Sequence, residues 1–144
     1  MITDVTIEQL THATETAAQQ IAVLLPQLTE NQEGIDAERL SKVLATPGAL
    51  YVARIDGVIL GMVHRIDVHH VVRMKCWIED FVVDASARSQ GIATKLLEAA
   101  IAGAPAEASS INLTSKNTRS ESHHIYSKLG FERRGDATLW RRLI

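Results

Sequence analysis

The sequence predicts an α/β fold with a mixed central sheet of about six to seven strands and about four helices. Three observations carry that expectation. Apolar residues recur at helical spacing in separate segments, such as Ile92, Leu96, Leu97, Ala100 and Ile101. Residues 50–83 read as successive strands, two of them joined by the turn pair Asp56-Gly57. Strand and helix patterns then alternate toward the end of the chain, which requires part of the sheet to be parallel. With 144 residues, 46% of them hydrophobic, the chain can bury the core of one domain spanning 1–144.

Taken in order, residues 1–9 open with a short β pattern carrying Val5 and Ile7. A helix follows over 13–25, with Ala17, Ile21, Leu24 and Leu25 on one face and Pro26 disturbing its end. A second helix runs over 36–45, with Asp36 as its N-cap. Strands are expected at 50–55, 58–68 and 71–83, the second presenting Val58, Leu60, Met62, Ile66 and Val68 on one face. A loop over 86–91 leads into the helix that carries Ile92 to Ile101. A strand at 110–114, a helix at 120–129 capped by Gly130, and a strand at 138–144 complete the order.

Composition narrows the function. There are 17 acidic against 15 basic side chains, a balance that argues against a nucleic-acid binder working by phosphate neutralisation. No apolar run approaches the roughly 18 residues of a membrane span. Met1-Ile2-Thr3-Asp4 lacks the basic and apolar regions of a secretory signal, so a cytoplasmic protein is expected. One cysteine, Cys76, permits no internal disulfide and leaves a zinc site without its usual thiolates. His64, His69 and His70 have no acidic or thiol partner at ligand spacing; they are read as surface residues, and no metal is expected.

The segment richest in chemistry runs from Ile78-Glu79-Asp80-Phe81-Val82-Val83-Asp84 to Arg88-Ser89-Gln90-Gly91-Ile92-Ala93. A strand enters a short loop, and a helix begins at a glycine. Unpaired amides and the positive dipole end of a helix N-terminus suit a phosphate anion. Gly91 admits close approach of the backbone, Arg88 adds a positive charge and Thr94 a hydroxyl. On these grounds alone, an ordinary strand–loop–helix connection that binds nothing remains an equal alternative.

Arg88, Gly91 and Ala93 fill the pattern Arg/Gln-x-x-Gly-x-Gly/Ala, and the segment resembles the acetyl-CoA signature of the GNAT N-acetyltransferase superfamily. Farther along, Ile125-Tyr126-Ser127-Lys128-Leu129-Gly130-Phe131 resembles that superfamily's Phe-Tyr-x-x-Leu-Gly-Phe, and the element order matches over 1–144. The resemblance implies acetyl-CoA as acetyl donor. Its pantetheine arm would lie along Phe81-Val82-Val83, and its pyrophosphate on the amides of Ser89, Gln90, Gly91, Ile92, Ala93 and Thr94 beside Arg88. It also implies a central parallel strand pair that splays apart, and it points to Asn117 as a further cofactor contact.

Transfer to an amine needs a base, because an amine of pKa about 10.4 is neutral in only about one molecule in a thousand at pH 7. Glu79 and Asp80 are the candidates, and strand alternation places them on opposite faces. Glu79 is read as base and Asp80 as a supporting contact, the alternative being a solvated or ion-paired couple. By resemblance, Tyr126 is the acid toward the departing thiolate and the amide near Val82 polarises the acetyl carbonyl. His123 is a competing candidate base. No cysteine falls at a motif position, so direct attack in a ternary complex is expected over an acetyl-cysteine route.

The expected partners are acetyl-CoA and the amine of a small molecule, with no nucleic acid and no membrane; a homodimer stays open. An idle acyl-CoA sensor of the same fold, or an enzyme acting on a protein lysine or N-terminus, stands as the alternative. Residues 1–50 hold seven acidic and two basic side chains, which suits a cationic acceptor.

Overall fold

The computed structural model describes residues 4–30, 32–115 and 120–144. The chain divides into two compact units, Met1–Thr114 and Ser115–Ile144, and each is described by itself.

The first unit holds a mixed five-stranded sheet in the order β1 (Val5–Gln9), β2 (Gly48–Ile55), β3 (Val58–His69), β4 (Met74–Val83) and β5 (Ile111–Asn112). The first four strands pair antiparallel, and β4 pairs parallel with β5. Between β1 and β2 lie α1 (Glu15–Leu24) and α2 (Ala37–Ala45); α3 (Ile92–Ala102) connects β4 to β5. No described helix is long and apolar enough to cross a membrane.

Local chemistry explains most element boundaries. Thr14 caps α1, its hydroxyl accepting from the Ala17 amide at 3.1 Å, and Asp36 caps α2 by accepting from the Arg39 amide at 2.8 Å. Pro26 sits in a 3-10 turn, Leu25–Gln27, that ends the first helix. Asp56 and Gly57 both take positive φ, at 51° and 78°, the geometry of a type I′ hairpin turn.

The core lies on both faces of β3. On one face Leu50, Val52, Ile59, Met62 and Val82 pack with Ala17, Ala18, Ile21 and Leu24 of α1 and Leu40 of α2. On the other, α3 presents the buried Ile92, Leu96, Leu97 and Ala100. Gly61 lies so close to it that an added Cβ would come within 3.1 Å of Leu96. Double coverage explains why Gly61 to Arg65 are all buried, where a strand with one wet face would alternate. The Arg65 guanidinium is carried in this layer by Asp67, at 2.8 Å, and by the Ala100 carbonyl, at 3.0 Å. Those bonds offset the cost of burying its charge.

Four expectations are corrected. The sheet in the described residues has five strands, not six to seven, because residues 138–144 form no strand; Leu139, Trp140, Leu143 and Ile144 stand exposed. The strand expected at 110–114 contracts to Ile111–Asn112. The third central strand begins at Met74, after a turn in which His70 donates to the Arg73 carbonyl at 3.0 Å and Val71 and Val72 are exposed. Finally, the strict alternation expected of β3 is broken between Ile59 and Gly61, where the register to β2 shifts. That bulge puts Ile59, not Leu60, on the Met62 face.

Candidate functional site

Glu79 and Asp80 sit where β4 departs from a regular strand. The register to β3 shifts here: His64 opposes Glu79 and Met62 opposes Val82, so Asp80 and Phe81 together face the single residue Val63. Asp80 takes φ +49°, a left-handed conformation that aspartate tolerates better than most residues. Upstream, Met74 to Ile78 alternate between buried and half-buried positions; Glu79 and Asp80 then break the rhythm, and both are exposed. The register keeps the expected separation of the two carboxylates: Glu79 stands opposite His64 and Asp80 opposite Val63, neighbours on opposite faces of β3, and both are exposed. Partial desolvation and the neighbouring charge of Asp80 raise the Glu79 pKa above the ordinary glutamate value.

Past the bulge, Val82 returns to the core, and Phe81 and Val83 are half-buried. On the side facing β5, strand pairing is limited to Cys76 with Ile111 and Trp77 with Asn112. From Ile78 onward that edge of β4 has no strand partner among the described residues. The described pairing of the two parallel strands thus ends one residue before Ile78.

The loop after β4 is built to hold its shape. Asp84 accepts from the amide and hydroxyl of Ser86, and the Gln27 side-chain amide donates to Asp84 at 2.6 Å. Gln27 accepts in turn from the Ala85 amide at 3.0 Å. Bonds from Ser86 and Gln27 hold the Asp84 carboxyl below its ordinary pKa. Arg88, exposed, donates to the Val83 carbonyl at 3.2 Å. No local pattern marks Gln27 as part of this loop, since its partner Asp84 is 57 residues away in sequence.

Ser89 and Gly91 carry the chain into α3 with φ of +65° and +75°. Gly91 is the N-cap and has no side chain to close the helix; the Lys95 amide, at 3.1 Å from the Gly91 carbonyl, closes the first helical turn. The preceding amides of the first turn have no capping side chain from this position. Space beside the Gly91 Cα is open, with nothing within 4 Å of where a Cβ would stand. Gln90 is exposed and Ala93 and Thr94 are half-buried, whereas the Ile92 side chain is 1% exposed and belongs to the core, so its amide alone is available for contact.

In the second unit, α4 (Ser120–Lys128) carries Tyr126, half-buried. The helix ends in a Schellman motif: Gly130 takes φ +91°, its amide donates to Ser127 at 3.2 Å, and the Phe131 amide donates to Tyr126 at 2.9 Å. This closure packs Phe131 edge-on against Tyr126, the ring centroids 6.1 Å apart. The motif Tyr126-x-x-x-Gly130-Phe131 thus has a physical reason: the cap positions the tyrosine ring. His123, one turn earlier, lies 6.3 Å from the same ring. Asn117, the further cofactor contact of the sequence reading, lies outside the described residues.

The histidines divide. His69 and His70 are exposed, His69 lying 4.0 Å from Glu107. His64 is 6% exposed, which corrects its reading as a surface residue: β3 is covered on both faces at that position. Among the described residues no group of three or more His, Cys, Asp or Glu side chains is arranged to hold a metal ion. Cys76 is a free, buried thiol; burial and the neighbouring Asp67 push its pKa up to about 11.

Comparison with known proteins places this geometry. No curated protein matches the sequence. Solved structures match the fold over nearly the whole chain. An aminoglycoside acetyltransferase from an uncultured soil metagenomic sample, in complex with sisomicin, superposes with TM-score 0.82 and 17% identity, covering 97% of this chain and 96% of that one. An aminoglycoside N-acetyltransferase in complex with CoA gives 0.81 and 20%, covering 99% and 97%. Glucosamine-6-phosphate N-acetyltransferase from Arabidopsis thaliana gives 0.79 and 18%, covering 96% and 98%. The family model for acetyltransferases of the GNAT family matches residues 12–131, a span that takes in the bulged strand, the Arg88–Gly91 loop and Tyr126. The chain therefore belongs to the GNAT acetyltransferase family and is an acetyltransferase.

Proposed function

We propose that this protein is an acetyl-CoA-dependent N-acetyltransferase that moves the acetyl group to an amine of a small molecule by direct attack in a ternary complex. One observation carries the reading: a bulged strand with an unpaired edge runs into a rigid loop and an uncapped helix N-terminus, inside the span matched by the family. These parts fit the donor. The β4 edge from Ile78 offers backbone groups to an extended pantetheine arm, as an added strand would be bound. The amides of Ser89 to Thr94 with Arg88 suit a pyrophosphate, and the open space beside Gly91 lets it approach. Phe81, Val82 and Val83 line that edge. The family model spans both structural units, which supports one catalytic domain over 1–144.

Attack on the thioester requires a neutral amine, and deprotonation at pH 7 costs about 4–5 kcal/mol for a pKa near 10.4. Glu79 takes that proton, directly or through one water. Its exposed position beside the bulge supports this role, as does a pKa raised by partial desolvation and Asp80. Asp80 keeps the site negative toward a cationic acceptor. The amide near Val82 polarises the acetyl carbonyl. Tyr126 donates a hydrogen bond to the departing thiolate; full proton transfer from a phenol of pKa about 10 to a thiolate of about 8.5 is uphill by roughly 2 kcal/mol. Cys76 is no nucleophile, because a buried thiol with a pKa of about 11 holds its proton.

The acceptor is a small amine. Aminoglycoside and glucosamine-6-phosphate acetyltransferases among the structural neighbours act on amino sugars, and the acidic residues 1–50 suit a cation. Free-thiol release from acetyl-CoA over a panel of amino sugars, polyamines, amino acids and lysine peptides tests the reading. Release with at least one small amine is expected. Tight acetyl-CoA binding with no release on any amine would make the protein a sensor instead. With the best acceptor, Tyr126→Phe should lower kcat about tenfold or more while the acetyl-CoA Kd stays within about twofold. An unchanged kcat would remove Tyr126 from the reaction.

A further inference from the structure

The reaction as derived leaves Gln27 without a role, although its side chain reaches the loop that follows β4. Gln27 ends the 3-10 turn after α1. The fully buried Leu24 and the partly buried Leu25 and Leu28 fix that turn to the core. From there the amide makes two bonds of opposite sense: Nε2 donates to Asp84 at 2.6 Å, and Oε1 accepts from the Ala85 amide at 3.0 Å. The Arg88 Nη2 lies 3.5 Å from the same oxygen, while the Arg88 Nε donates to the Val83 carbonyl. These partners fix the orientation of the amide, because a carboxylate only accepts and a backbone amide or guanidinium only donates. Glutamine suits the position: ionised glutamate has no donor, and lysine has no acceptor. The rest of the turn is anchored through Asp84 as well. Its amide donates to the Leu60 carbonyl at 2.8 Å, and its carbonyl accepts at 2.9 Å from the amide of Ala87, a residue only 1% exposed.

We propose that Gln27 is a positioning residue for the acetyl donor: by tying Asp84, Ala85 and Arg88 to the body of the fold, it presets the loop that receives the pyrophosphate. This rests on the reading of Arg88 and the amides of Ser89 to Thr94 as the donor site. An anion held by several amides binds tightly when those amides are arranged before it arrives; a loop that must be ordered on binding weakens the complex. Ordering is needed here, because Ser89 and Gly91 both take positive φ between Arg88 and α3, a conformation that serine seldom adopts. Bracing residues 84–88 restricts the chain entering that stretch and holds the long Arg88 side chain near it. Gln27 acts through Asp84, Ala85 and Arg88, so its effect falls on donor affinity and not on the chemical step.

Calorimetry with acetyl-CoA on the intact protein and two variants tests this, alongside steady-state kinetics with the best acceptor. Gln27→Met keeps the length of the side chain and removes both bonds. Its acetyl-CoA Kd should rise about tenfold, and KM for the donor with it, while kcat at saturating donor stays within about twofold. Gln27→Glu sets a second carboxylate against Asp84. Ser86, Gln27 and the Arg88 charge favour the ionised Asp84 in the native loop; an anion in place of the Gln27 donor favours protonation of the pair instead. A proton shared by the two carboxyls restores the missing donor. Relative to wild type at the same pH, Gln27→Glu should therefore lose about tenfold or more in affinity at about pH 8 and regain most of it at about pH 5. A merely structural role predicts no recovery on acidification. Wild-type affinity in both variants, a Gln27→Glu deficit equal at the two pH values, or a kcat loss at unchanged Kd overturns the role of Gln27 and leaves the loop as donor site. No acetyl-CoA binding by the folded wild-type protein overturns the donor site and the role of Gln27 with it.

Discussion

Glu79→Gln lowers kcat by about 10²–10³-fold at pH 7 and flattens the acidic limb of the pH–rate profile. The expected direction follows from the charge state required. Activity needs the carboxylate, so the wild-type rate falls as pH drops through the Glu79 pKa. Burial and Asp80 place that pKa above the ordinary glutamate value, so the limb lies above it too. The same shift has a stability consequence of opposite sign. A carboxyl whose pKa is raised on folding favours the native state fully below its unfolded pKa, and that contribution is lost as pH rises through the folded pKa. At neutral pH the ionised Glu79 therefore works slightly against the fold. Glu79→Gln should unfold at an equal or higher temperature than the wild type in a thermal melt, although it is nearly inactive. A variant that keeps its kcat, or its acidic limb, moves the base elsewhere.

Gly91→Val weakens acetyl-CoA binding by about 100-fold or more, measured by calorimetry. The residue holds φ at +75°, where a β-branched side chain costs on the order of 1–3 kcal/mol. No protein atom lies within 4 Å of the new Cβ, so the loss does not come from a clash inside the fold. It comes from strain at the first helical amides and from filling the space a pyrophosphate would use. Gly91→Ala separates the two: it carries the backbone strain with far less bulk, so it should lose part of the affinity. Binding unchanged in both variants would place the pyrophosphate away from this helix.

Much of the fold was legible because its signals are local. The Asp56-Gly57 turn, the Asp36 cap, the spacing of Ile92 to Ala100 and the Gly130 stop each depend on a few neighbouring residues, and each forms as expected. The last strand failed for the opposite reason. Residues 138–144 have strand-like residues, but a strand needs a partner to receive its backbone hydrogen bonds, and no propensity supplies one. The loop before α3 was legible in the same way: Arg88 and Gly91 stand out in a strand–loop–helix turn, and Ala93 joins them through the resemblance to the superfamily pattern. Gln27, which braces the Arg88 loop by pairing with Asp84, was not legible, because no pattern in a single chain links positions that far apart.

By itself, then, the sequence determined the element order through the tyrosine helix, the turn and cap residues, and the glycine that opens α3, all properties of short stretches of chain. Tertiary structure decided what depends on register between strands. The β4 bulge sets Asp80 and Phe81 together against Val63 and leaves both Glu79 and Asp80 exposed. The coverage of β3 on two faces buries His64 opposite Glu79. A one-residue shift in strand pairing redirects every side chain beyond it, and that shift is set by which strands meet, not by the residues of either one alone.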